Sequence, residues 1–138
     1  MTTYFSITPT PLAARVLQAS NLSGTYNNGN SGTGATLTAN SNGALTVDSV
    51  AVAVGDIVLL INQSTAYQNG PYIVTAAGDG SHPYILTRSG LFTASPSLAV
   101  GGTFIPIGAG TVHAGQIWVL VEPLPVNIGT DSITFVQT

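Results

Sequence analysis

The sequence predicts one all-β domain, a sandwich or barrel, and three observations carry that prediction. No apolar run in the 138 residues exceeds five, and no stripe recurs every 3.6 residues. Short β-branched segments alternate instead with Gly, Asn, Asp and Pro clusters at spacings of roughly 8–12 residues. The length suits a single domain able to bury about two thirds of its unfolded surface.

Taken in order, residues 1–14 carry Tyr4, Phe5, Ile7 and Leu12 without a period, and Pro9 and Pro11 favour an extended path. They are expected to form an extended N-terminal arm ahead of a domain at 15–138, either packed along that domain or reaching a neighbouring subunit. Arg15–Ala19 reads as a short strand, and the Gly- and Asn-rich 21–34 as a loop. Asn42-Gly43 lies between two alternating segments in 36–48, the signature of a hairpin, and Asp48-Ser49 marks a second tight turn. Ile57–Ile61 is unbroken apolar and predicts a central strand buried on both faces. Tyr72–Thr75 and Tyr84–Arg88 follow, the latter with Tyr84, Leu86 and Arg88 on one face. A strand within 101–110 contains Pro106, which places it at an edge or bulge. Ile117–Glu122 and Asp131–Thr138 complete nine or ten strands, with one short turn near Pro96–Leu98.

Charge is scarce. Lys and Arg together number 2, both Arg, and Asp and Glu number 5, so charged residues are 5 % of the chain. An average soluble domain has about 25 %. Two cations cannot neutralise a run of phosphates or grip an anionic bilayer, which argues against nucleic-acid and membrane partners. The N-terminus has no basic start before an apolar stretch, as a signal peptide would, and with no cysteine a disulfide-stapled secreted domain is not expected. Synthesis in a cytoplasm is the resulting expectation.

Catalytic patterns are weak. Asp79, Ser81 and His82 fall within one four-residue turn, whereas a hydrolytic triad converges from separate elements. His113 has no carboxylate close in sequence to help it hold a metal. Asp48, Asp56 and Asp131 sit beside Gly or Ser, where a carboxylate accepts local backbone N–H groups. The expectation is a protein without catalysis, metal or cofactor. Aromatics are the remaining lead: Tyr26 and Tyr67 in polar loops suit either stacking on sugars or anchoring a protein interface, and with Tyr4 and Phe5 in the arm they are the candidate interface residues.

From about Val16 to Gln137 the chain resembles a module of tailed-bacteriophage virion proteins, found in tail fibres and in capsid decoration (cement) proteins. The resemblance is carried by GTYNNGNSGTGATLTANSNGALTVDSVAVAVGDIVLLINQ, QNGPYIVTAAG, PYILTR, GGTFIPIGAGT, IWVL and IGTDSITFVQ, in that order. Ile57 stands where the family commonly has a basic residue, and an acidic pair usual after the Arg is replaced by Ser89-Gly90-Leu91-Phe92. Both departures remove charge and put fibre-type salt-bridged contacts in doubt. The resemblance implies a single antiparallel β-sandwich of jelly-roll type on the outer capsid surface, in many copies, contacting the major capsid protein and other copies of itself. A chain of this length without fibre-attachment or tip segments fits decoration better than a fibre. The alternative is a fibre module that binds a receptor or carbohydrate.

Overall fold

The computed structural model describes residues 12–92, 99, 101–122 and 126–138. Among them lie eleven short strands, one 3-10 turn at Ala66–Gln68 and no α-helix. The strands are β1 (Val16–Gln18), β2 (Thr25–Asn27), β3 (Thr36–Thr38), β4 (Thr46–Val47), β5 (Val50–Ala51), β6 (Ile57–Leu60), β7 (Gly70–Ala76), β8 (Ile85–Arg88), β9 (Phe104–Pro106), β10 (Ile117–Leu120) and β11 (Phe135–Gln137). They form a six-stranded sheet in the order β1-β6-β7-β8-β3-β2, a three-stranded sheet β11-β10-β9 and a two-stranded ribbon β4-β5. The all-β expectation holds. The wholly antiparallel one does not, because β1 and β6 pair in parallel, Val16 opposite Val58. The long segment between them, which contributes β2 to β5, makes that crossover possible.

The six-stranded sheet is apolar on both sides where β6 runs through it. Val58 and Leu60 pack with Val16, Leu37, Tyr72, Val74 and Leu86, under a lid formed by Leu45, Val47 and Val52 around the ribbon. Leu59 points the other way with Leu17, into a second cluster with Ile105, Leu120, Ile133 and Phe135 of the three-stranded layer. Alternation along β6 therefore feeds two cores, as the continuous run 57–61 predicts. Farther along this second face, Thr75 and Thr87 meet hydroxyl to hydroxyl at 3.0 Å and remain in contact with solvent.

Several local expectations changed. Asn42-Gly43 closes no hairpin: β3 pairs with β2 and β8. The segment after it docks instead on the 77–82 loop, through Gly43 N–H to the His82 carbonyl and Leu45 N–H to the Ala77 carbonyl. β2 forms inside what reads as a loop, because Thr25–Asn27 finds an outer slot beside β3. Asp48-Ser49 does close the tight β4–β5 hairpin, with both residues at positive φ (47° and 68°). Such left-handed pairs normally use Asn-Gly or Asp-Gly. Pro106 lies on the edge strand β9, as expected. Ile107 N–H donates to the Gln116 carbonyl on the β10 side, so by alternation the missing Pro106 N–H faces away from β10. Leu12 and Ala14, the described end of the expected arm, are buried, and Ala14 N–H donates to the Pro106 carbonyl at 3.0 Å.

Candidate interaction surface

The described aspartates and histidines are each held in hydrogen bonds of the fold. In the exposed Asp79–His82 turn, Asp79 Oδ1 accepts the Ser81 N–H at 2.7 Å and lies 3.0 Å from His82 Nδ1. The backbone bond from Ser81 and then the histidine hold its pKa below the usual carboxylate value. His113 Nδ1 and the Trp118 indole N–H both meet Gln116 Oε1, at 2.9 and 3.1 Å. No group of three or more His, Asp or Glu suited to a metal ion occurs among the described residues.

Asp56 and Asp131 accept backbone N–H groups within their own turns, from Ala53 and Asn127. Asp48 does not act locally. Its carboxylate accepts the N–H groups of Val112 and His113 at 2.9–3.1 Å, while its carbonyl accepts the Thr111 N–H. The His113 backbone bond is the chief cause of its lowered pKa. Gly110 (φ 121°) leaves room for that carboxylate, which a Cβ would strike. The strained Asp48-Ser49 turn thus pins a loop more than sixty residues away.

Of the four candidate interface residues, Tyr4 and Phe5 lie outside the described residues. Tyr26 and Tyr67 come together edge to face, ring centroids 6.0 Å apart, both half-buried. Behind them Arg88, only 2 % exposed, stacks 4.9 Å over the Tyr72 ring. It donates to the carbonyls of Asn69 and Tyr67 and to the Tyr72 hydroxyl. No carboxylate pairs with it among the described residues, and its Nε has no partner. Carbonyl dipoles and a π-face neutralise this cation, an arrangement that holds Tyr67 in position. Burial pushes the Tyr72 phenol well above its ordinary pKa, the Arg88 charge opposing the shift.

The largest feature that residue types did not announce is the outer face of the three-stranded sheet. Trp118 and Leu120 turn inward, so Ile117, Val119 and Val121 turn outward. Phe104, Val119 and Val136 sit directly opposite one another across the three strands. Phe104 is 53 % exposed, Val136 46 % and Val121 44 %, with Ile117 close behind. No charged residue lies on any of these strands. The sheet also has an open edge. Val121 N–H reaches the Thr134 carbonyl and Thr138 N–H the Ile117 carbonyl, so residues 134, 136 and 138 bond to β10. The N–H and C=O groups of Phe135 and Gln137 therefore point away from it, with no partner strand among the described residues.

Neither a protein-family model, nor a curated protein, nor a solved structure matches this chain.

Proposed function

We propose that this chain is a virion structural protein that decorates and cements the outer surface of an icosahedral phage capsid, bound to the major capsid protein and to further copies of itself. The six- and three-stranded sheets are read as the two leaves of a jelly-roll sandwich. The observation that carries the proposal is the uncharged, apolar outer face of β9–β11 beside an open β11 edge. Exposed edges are normally blunted by Lys, charge or Pro, and this edge has none of them. An apolar sheet face of this kind marks a contact site. In this account the face seats on the shell and the edge takes β11 of a second copy. Antiparallel pairing about Val136 would set Phe135 against Gln137 of the other copy and continue the Phe104–Val119–Val136 row across the two-fold axis. Many modest contacts of this type, repeated by capsid symmetry, stabilise the assembled shell by mass action. The motif resemblance supports the same reading.

The test uses purified heads stripped of this chain. Wild-type protein is expected to cosediment with them saturably and to stay bound as salt is raised, because no ion pair carries the contact. Val119→Lys should bind at least tenfold more weakly with an unchanged melting temperature. Absence of the chain from purified virions, or wild-type-like binding by the variant, overturns the proposal.

A further inference from the structure

On the opposite side of the six-stranded sheet lie two shallow clefts of about 280 and 310 Å³, adjoining at Ser23 and Asn40, which line both and make the pair one grooved surface. Tyr26 lines one end and Tyr84 the other. Both rings pack against the core cluster of Leu37, Tyr72 and Leu86, not the cluster beneath the three-stranded sheet. A molecule seated through the bare face of β9–β11 would therefore leave this groove uncovered.

The walls are stapled before any ligand arrives. Gln63, 7 % exposed, accepts the Leu22 N–H at 2.7 Å and returns its amide to the Leu22 carbonyl at 3.0 Å. Asn21 Oδ1 accepts the Ser64 N–H at 2.8 Å. The Thr25 hydroxyl donates to Asn40 Oδ1 at 3.2 Å, which turns the Asn40 amide nitrogen free as a donor. Tyr26 is fixed by Tyr67 and by its hydroxyl bond to Asn28. What remains facing the groove is a set of side chains with no hydrogen-bond partner among the described residues, notably Ser23, Gln68 and the Asn40 amide nitrogen.

None of the described lining residues is charged. An anionic or cationic ligand would be desolvated without a counter-charge. Planar side-chain amides and hydroxyls beside a held aromatic ring match a ligand that is neutral and rich in vicinal hydroxyl or acetamido groups. The two clefts together fall within the ~300–1,000 Å³ of small-ligand sites. We infer that this groove binds a neutral oligosaccharide chain, which would give the molecule a glycan-contacting face opposite the apolar one. The inference does not depend on the capsid reading, since a soluble, unassembled protein would bind equally well.

An amide-detected NMR titration tests it, using neutral gluco-, galacto-, manno- and N-acetylglucosamine tetrasaccharides with tetragalacturonate as the charged control. Saturable shifts of the Asn40 and Gln68 side-chain amides are expected with at least one neutral ligand and none with the galacturonate. The Asn40→Ala/Gln68→Ala double variant should bind that ligand at least tenfold more weakly with an unchanged melting temperature, while Val119→Lys binds it normally. No saturable response to any neutral member, preference for the charged control, or undiminished binding by the double variant overturns the inference.

Discussion

β6 and β10 have nearly the same composition, four apolar residues each in an unbroken run, yet they occupy opposite situations. Val58, Leu59 and Leu60 of β6 are 0–1 % exposed because a cluster covers each face of their sheet. β10 has a cluster beneath Trp118 and Leu120, whereas among the described residues its other face leaves Ile117 exposed and Val119 partly exposed. The same residue chemistry is fold stability in one strand and unused contact area in the other. What decides between them is whether a further layer of chain returns over the strand.

If that contrast is right, truncation at the two strands must give very different results. Leu59→Ala leaves a cavity between two layers and should destabilise by about 2–5 kcal/mol, read as a shifted denaturant midpoint. A loss below about 1 kcal/mol would mean that β6 is not the shared strand of both cores. Asp48→Asn should lower the melting temperature at neutral pH next most, by weakening the clamp on Val112 and His113. The sign of its pH dependence follows from the depressed carboxylate pKa. The wild-type contribution is fully present above the ordinary value of 3.8 and is lost as pH falls through the lower folded-state value. Wild type and variant stabilities should therefore converge in acid. Ser49→Gly removes a side chain from φ 68° and should stabilise by about 0.5–1 kcal/mol in a chemical denaturation series. Smallest of all, Val119→Thr on the bare face should leave stability within about 0.5 kcal/mol of wild type. A large loss there would show that the outer face is already covered within the single chain.

Much of this was legible in residue order. The apolar run 57–61 was readable as a strand buried on both faces, and Val58, Leu59 and Leu60 are placed so, although the equally apolar 117–121 shows that such a run does not by itself require two covering layers. Asp48-Ser49 was readable as a turn from its V-rich flanks, but its reach to Val112 and His113 was not, because backbone acceptance across sixty residues leaves no local pattern. Asn42-Gly43 misled for a related reason: the dipeptide permits a hairpin, while strand pairing decides whether one forms. β2 went unseen because Thr25–Asn27 is polar and becomes a strand only by finding β3. For the candidate site, Tyr26 and Tyr67 were singled out separately, and their edge-to-face contact depends on a fold that joins positions 41 residues apart. Gln63, which ties the groove walls together, carried no signal at all. The run 117–121 announced a strand but not which face stays bare, since both parities are apolar and only the covering layer distinguishes them.

Hydrogen exchange measured on the free protein and on purified virions tests the central claim most directly, because it reads the open edge of the three-stranded sheet amide by amide. The outward amides of Phe135 and Gln137 should exchange quickly in dilute free protein and become at least tenfold slower in the virion, while the amides of β6 stay slow in both. Equal exchange of Phe135 and Gln137 in the two states, or absence of the chain from the virion, would contradict the account.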